Sequence, residues 1–427
     1  MFLSVIQRVF PVALLALALS AAHAQSKPRA RDLGVPFDGI PGPNNAITDV
    51  QGVEVGHTTL ITGQGKLVVG TGPVRTGVTA IHPRGKSSND AVFAAWFTLN
   101  GNGEMTGTTW LDDSGFLNGP VMITNTHSVG VVRDAVIAWK VKRGQPDMEG
   151  YWWSLPVVAE TWDGWLNDIN GFHVRPQDAW HALDTAHTGP VEEGSVGGGT
   201  GMICNEFKGG IGTSSRVLDA KAGGYTVGVL VQCNYGRRPQ LRIAGAPVGQ
   251  EIPDHPAYGE DETADSGTGT SSHPPQPMWG APPPAAQRRE APLPGHDTGS
   301  IIVIVATDAP LIPTQLKRIA RRVSLGLGRD GSYSGDGSGD IFLAFSTANP
   351  GAVSPTSNQP NNTHSLTMLP NDSLDPIFLA TVQATEEAVI NAMVAAETMK
   401  GIDNHEVIAL PHDRLREVLK KYNRLAK

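Results

Sequence analysis

Hydrophobic and polar positions change rhythm several times along this chain. Between Gly34 and about Gly130, short β-branched runs alternate with turn clusters: GVEVGHTTLI, KLVVG, GVTAIH and PVMITNTHSVGVV. Runs of this kind, bounded by Gly, Pro and Asn, predict the strands of a sheet. Arg133 to Arg143 and Gln177 to Ala186 predict helices, and GGYTVGVLVQCNYG predicts a buried strand ending in a polar tip. Ser300 to Thr307 (SIIVIVAT) is apolar on both faces, the pattern of a central strand. Asp308 is then a candidate N-cap for a helix from about Pro313 to Leu325. DIFLAFST predicts a further strand. Leu374 to Met399 carries Phe378, Leu379, Val382, Ala388, Val389, Ala392 and Met393 at helical spacing, which predicts the longest helix. A short helix follows Pro411. Strands in both halves with late, outer helices predict a layered α/β protein.

Two stretches stand outside that pattern. Residues 1–24 read as an export signal: Arg8 is followed by the apolar run Val12 to Ala22 and a small-x-small cleavage site at Ala22-His23-Ala24. The run is shorter than the roughly 20 apolar residues a bilayer span needs, and no later stretch reads as a span. A mature chain beginning near Gln25 is expected in the periplasm or outside the cell. The second stretch, about Ile252 to Thr298, is rich in Pro, Gly, Ser and His with no structural period. It reads as a linker or mobile loop, because it buries too little apolar surface to offset its ordering entropy.

Composition narrows the function. The 427 residues are 40% hydrophobic and 17% charged, enough for a sizeable core, and the net charge of −8 gives no support for nucleic-acid binding. Cys204 and Cys233 are the only cysteines, which excludes a disulfide-dense scaffold and a multi-cysteine zinc domain. Their apolar, strand-like surroundings favour two buried thiols, although pairing stays open. Gly326-Leu327-Gly328-Arg329-Asp330-Gly331 matches G-x-G-x-x-G but follows a helix instead of a strand, so it is set aside as a dinucleotide site. Asp336 to Asp340 lacks the glycine and terminal acid of a calcium loop. No H-E-x-x-H and no G-x-S-x-G elbow occurs. Neither metal nor cofactor is expected.

The junction Gly299-Ser300 carries chemistry. Glycine lets the preceding peptide twist and its carbonyl be approached closely. An N-to-O acyl shift followed by hydrolysis would free Ser300 with an α-amine of pKa about 7.7–8.0, suited to act as a general base near neutral pH. A plain loop-to-strand junction is the competing reading.

The stretch GSIIVIVATDAPLIPTQLKRIARR resembles the self-processing region of the L-aminopeptidase D-Ala-esterase/amidase and β-peptidyl aminopeptidase family. LGVPFDGIPGPNNAITDVQGVEVGHTTLI, GPVRTGVTAIHPRG, TLNGNGEMTG, PVMITNTHSVGVVRDAV, GGGTGMICNEFKGGIGTSSR, VQCNYGRR and GSGDIFLAFSTAN extend the likeness, in order, over nearly all of the mature chain. The resemblance implies a four-layer αββα sandwich of the N-terminal-nucleophile type, forming one domain from two self-cleaved chains. These are an α chain, residues 25–299, and a β chain, residues 300–427. It also implies a tetramer of αβ units and metal-free release of N-terminal residues from short peptides, amides or esters. The nucleophile falls on Ser300, a supporting serine–x–acid pair on Ser338 and Asp340, and the oxyanion-stabilising amide on Asn234. Glu160 takes the place of the acid that holds the substrate ammonium. Asp340 stands where some relatives have glutamate, and Trp162 where a relative carries a tyrosine that contributes to the site; its indole N–H is a candidate substitute donor. Two alternatives stay open. An acyltransferase would pass the same acyl group to an amine, and a periplasmic binding protein would keep the fold without turnover.

Overall fold

The computed structural model describes residues 27–143, 153–258, 299–352, 363 and 365–426. The export signal and most of the Pro/Gly-rich stretch lie outside the described residues.

Two β-sheets form the middle of the molecule. The smaller has the order β1 (Glu54–Thr62), β2 (Val74–His82), β5 (Val121–Asn125), β6 (Val157–Thr161). The larger has the order β4 (Phe116–Leu117), β3 (Val92–Gly101), β12 (Gly339–Ser346), β11 (Ser300–Thr307), β10 (Thr226–Asn234), β9 (Gly210–Val217). Helices α2 (Val129–Lys142) and α3 (Pro176–Thr185) cover the small sheet, and α5 (Pro313–Arg329) and α6 (Asp375–Val394) cover the large one. Three cores separate these layers. The central one joins Val55, Ile81, Ile123 and Ala159 of one sheet to Leu230, Ile302, Ile304 and Leu343 of the other. Alternation along each strand sends Val231, Ile301, Val303 and Phe342 the other way, against the α5 and α6 layer. This is the αββα sandwich that the family resemblance implied, and a layered α/β protein as the residue pattern predicted. Smaller elements fill its edges: α1 (Thr108–Ser114), the β7–β8 hairpin (Ile203–Cys204, Phe207–Lys208), α4 (Val248–Glu251), the β13–β14 pair (Met399–Lys400, Glu406–Val407) and α7 (His412–Lys421).

Several local expectations change. KLVVG is not a strand; Gly63, Gly65, Gly70 and Gly72 break it into turns, leaving one isolated bridge between Val68 and Gly72. PVMITNTHSVGVV is strand only to Asn125, then turns into α2. Asp308 does not cap a helix: its carboxylate accepts the Thr226 N–H at 2.8 Å, and α5 begins after Ile312 with Pro313 in its first turn. That helix runs to Arg329, so the G-x-G-x-x-G match begins inside it. A Cβ at Gly326 would lie 2.6 Å from Thr385 Cβ, so the glycine permits the close approach of α5 to α6. Long and apolar enough to cross a bilayer by composition, α6 has 89% of its apolar window buried inside the fold. The first residues of the Pro/Gly-rich stretch pack onto the fold. Ile252 and Ala257 are buried, and Tyr258 packs edge-on against Trp165 with ring centroids 5.0 Å apart.

Cys204 and Cys233 are not thiols. They form a disulfide between β7 and β10 with Cα atoms 5.5 Å apart. The β7–β8 hairpin folds back onto the end of β10, so two apolar segments that each read as self-contained bring their cysteines together.

Candidate active site

At one end of the sandwich β6 and β10 finish while β11 and β12 begin. Asn234, the last residue of β10, pairs directly with Ser300, the first of β11. Opposed residues in an antiparallel pair project their side chains from the same face. Here that is the face between the sheets, since Leu230 and Ile302, at even spacing along the same strands, belong to the central core.

Ser300 is buried, 6% exposed, and its Oγ accepts the Gly339 N–H at 3.1 Å. Gly339 is its register partner across the parallel β11–β12 pair. On either side of Gly339 lie the two residues that the sequence reading coupled: Ser338 Oγ donates to Asp340 Oδ2 at 3.0 Å. The pair reaches Ser300 through the N–H between them. Asn100 of β3, not singled out from the sequence, fixes this turn. Its Nδ2 lies 2.9 Å from Ser338 Oγ, 2.7 Å from the Ser334 carbonyl and 2.9 Å from the Gly335 carbonyl. The only sequence signal for it was its place in the TLNGNGEMTG run. Before Ser300, Gly299 has no space for a side chain, since a Cβ there would lie 2.5 Å from Tyr235 Cα.

Asn234 is held at both ends of its amide. Oδ1 accepts the Ile203 N–H at 2.8 Å, and Nδ2 donates to the Trp162 carbonyl at 2.9 Å. A backbone N–H can only donate and a carbonyl can only accept, so the two partners fix which end of the amide is oxygen. Trp162 therefore meets this residue through its main chain. Its indole lies across Gly164, where a Cβ would come 2.5 Å from the ring.

Glu160, near the end of β6, is 3% exposed. Oε1 accepts the Glu104 N–H at 2.9 Å, and Oε2 accepts a short hydrogen bond from Thr126 Oγ1. Burial raises its pKa, and these two donors work against that rise. A Cβ on Gly103 would lie 3.3 Å from Glu160 Oε1 and 3.2 Å from Gly339 Cα. The carboxylate and the N–H that meets Ser300 thus flank one glycine. Asp163, three residues on, is fully buried, and burial pushes its pKa up to about 6 against hydrogen bonds from Thr76, Asn167 and Asn125. The site therefore gathers Ser300, Asn234, Ser338, Asp340 and Glu160, with Trp162 contributing a carbonyl at its rim.

The chain matches the model of peptidase family S58 over residues 45–407. It belongs to that family. It is a hydrolase of the aminopeptidase type. The beta-peptidyl aminopeptidase BapA of Sphingosinicella microcystinivorans is 54% identical over 417 residues, covering 98% of each chain. That of Sphingosinicella xenopeptidilytica is 46% identical over 406 residues, 95% of this chain and 94% of the relative. Among solved structures, the L-aminopeptidase D-Ala-esterase/amidase of Ochrobactrum anthropi, described as a variant of the Ntn hydrolase fold, superposes with a TM-score of 0.79. It is 47% identical and the match covers 94% of this chain and all of that one. A Burkholderia sp. β-aminopeptidase superposes with a TM-score of 0.78 at 44% identity, over 92% of this chain and 99% of that one. The S58 relatives span the whole described sandwich, so the layered fold and the family assignment rest on the same residues.

Proposed function

We propose that this S58 member is an exported, self-processing serine aminopeptidase that removes N-terminal residues from short peptides, amides or esters. The observation that carries the reading is the pairing of Asn234 with Ser300: a hydroxyl at the head of a central strand faces a side-chain amide whose donor end is fixed. Maturation begins with Ser300 Oγ attacking the Gly299 carbonyl carbon, moving the acyl group from nitrogen to oxygen. Water then hydrolyses the ester, leaving a carboxylate on Gly299 and a free amine on Ser300. Two chains result, 25–299 and 300–427.

In turnover the Ser300 amine takes the Oγ proton as Oγ attacks the substrate carbonyl. The remaining Asn234 N–H meets the oxyanion; one such donor is worth about 10²–10³ in rate. The amine returns its proton to the leaving nitrogen, and the acyl group stays on Oγ until water releases it. The Gly339 N–H and the Ser338–Asp340 pair hold the Oγ environment, and ionised Glu160 receives the substrate ammonium. A free amino terminus on the substrate is therefore required. Assembly as an oligomer of αβ units, a tetramer by the family resemblance, is part of the same reading.

The test is the intact mass and N-terminal sequence of purified protein beside Ser300→Ala. Two chains, the smaller beginning Ser-Ile-Ile-Val, together with burst acylation by an ester substrate, are expected for wild type alone. A single uncut wild-type chain with no burst would overturn the reading and favour a binding protein on this fold.

A further inference from the structure

The amide of Asn234 depends on the Ile203 N–H, and that N–H is tied down from two sides. Cys204 follows Ile203, Cys233 precedes Asn234, and the two cysteines are joined by a disulfide. The covalent link and the 2.8 Å hydrogen bond from Ile203 N–H to Asn234 Oδ1 therefore connect the same two strand ends, one residue apart on each. On the other side, the carbonyl of Met202 accepts from Lys208 Nζ at 2.8 Å, and the same nitrogen donates to the Gly209 carbonyl at 2.9 Å. Lys208 is the register partner of Ile203 across the β7–β8 hairpin. Both cysteines and Lys208 are fully buried.

The two ends of an asparagine amide differ little in shape, so their orientation is set only by what each end meets. If the β7 end moves away from β10, Oδ1 loses its donor. The amide then keeps only its Nδ2 bond to the Trp162 carbonyl and can swing about that single anchor, so the second Nδ2 hydrogen no longer points at a fixed angle. The main chain at Asn234 stays in register with Ser300 through β10–β11 pairing, and Glu160 is held by the Glu104 N–H and Thr126 Oγ1, neither of them on β7 or β10, so substrate binding there is not disturbed.

We propose that the Cys204–Cys233 disulfide is a positioning element for the reaction: it holds the Ile203 N–H on Asn234 Oδ1 and so keeps the Nδ2 donor aimed at the oxyanion. This rests on the reading of Asn234 as the oxyanion donor. A cross-link closing a 29-residue separation also restrains the unfolded chain, which would stabilise the protein without touching turnover. The two roles separate in kcat. Deleting an oxyanion donor outright lowers the rate about 10²–10³-fold, and a donor that is present but misdirected part of the time lowers it less, about tenfold.

The experiment uses mature, processed protein. Steady-state kcat and KM for an amino-acid p-nitroanilide are measured on wild type before and after reduction with a phosphine, with thiol titration to count opened disulfides. They are also measured on Cys204→Ala/Cys233→Ala, on Asn234→Ala and on the triple variant, all well below their melting temperatures. The expected result is a kcat about tenfold lower at unchanged KM in the double variant, and in wild type once its thiols titrate, with recovery on reoxidation. In the Asn234→Ala background the cysteine substitutions add no further loss, because the group being aimed is already gone. A lower melting temperature with unchanged kcat, or an equal kcat loss with and without Asn234, would overturn the positioning role. If the double variant fails to mature, the reduced wild type decides; if the disulfide resists the phosphine, the double variant decides. Full activity in Asn234→Ala would instead overturn the oxyanion assignment beneath it.

Discussion

Replacing Glu160 by glutamine removes a charge while keeping the shape of the side chain. The carboxylate now accepts from Glu104 N–H at 2.9 Å and from Thr126 Oγ1. A glutamine carbonyl keeps the first bond, and its NH₂ donates to the Thr126 hydroxyl oxygen once that hydroxyl rotates. The fold should therefore hold, and the loss should fall on the substrate ammonium. A hydrogen bond to a charged partner is worth about 1.5–3 kcal/mol, so kcat/KM for an amine-bearing substrate should fall roughly 10- to 150-fold. The assay compares a p-nitroanilide carrying a free N-terminal amine with its des-amino analogue on wild type and Glu160→Gln. Only the first should respond to the substitution. The pH dependence gives a second readout. Because burial raises the Glu160 pKa, the ionised fraction falls sooner than usual as the pH drops, and KM should rise on the acid side. The substrate amine stays protonated throughout that range, so the rise belongs to the enzyme and should vanish in Glu160→Gln. The acid loss in kcat, from protonation of the Ser300 amine, should persist in both. Equal effects on the amine and des-amino substrates would refute the ammonium-binding role.

Asp163 has a folded-state pKa raised to about 6 from an ordinary 3.8, so its contribution to stability is greatest at low pH and is lost as pH rises between those values. Two units correspond to about 3 kcal/mol, and urea midpoints at pH 4 and pH 8 should differ less in Asp163→Asn than in wild type. Glu387 is buried between Arg216 and Arg31, with ion-pair distances of 2.8 and 2.7 Å; burial alone would raise its pKa, and the two guanidiniums outweigh that. Glu387→Ala leaves Arg216 buried without its counter-charge and should lower stability by about 3–5 kcal/mol, read from the urea midpoint. Gly299→Ala forces a Cβ against Tyr235 Cα and should slow the conversion of precursor to two chains, followed by mass over time, while Asn234 and Glu160 remain in place.

Elements whose residues carry their own signal were legible in the sequence. SIIVIVAT forms β11 to the residue, and the apolar spacing after Leu374 forms α6. The elements that went unnamed depend on neighbours. β9 (GIGTSSRV) has weak strand propensity and exists because β10 pairs along it. β3 is paired along its length only because β12 adds to it from beyond residue 300. In the candidate site, the Gly299-Ser300 junction drew notice by itself, Asn234, Ser338, Asp340 and Glu160 came from the family resemblance, and the structure brings the five side chains to one end of the sandwich. What the sequence could not supply was their support: the Asn100 side chain, the Thr126 hydroxyl, and the backbone N–H groups of Gly339, Glu104 and Ile203. A main-chain donor has no residue type to betray it. The disulfide was missed for a related reason, since its proximity arises from the hairpin folding onto β10.

The order of the large sheet has a consequence for a chain severed at Gly299. Strands β11 and β12, both after the cut, lie between β3 and β10, both before it. The second fragment's strand pair would be wedged into the middle of the first fragment's sheet, and separating them means unzipping two ladders at once. Neither fragment alone holds a complete set of reacting groups, since the hydroxyl comes from one and the amide and carboxylate from the other. Scission of the peptide bond would therefore free a terminus at no loss of sheet pairing, and reassembly from separately made halves would require the first to hold β3 and β10 apart by the width of the two strands that the second brings.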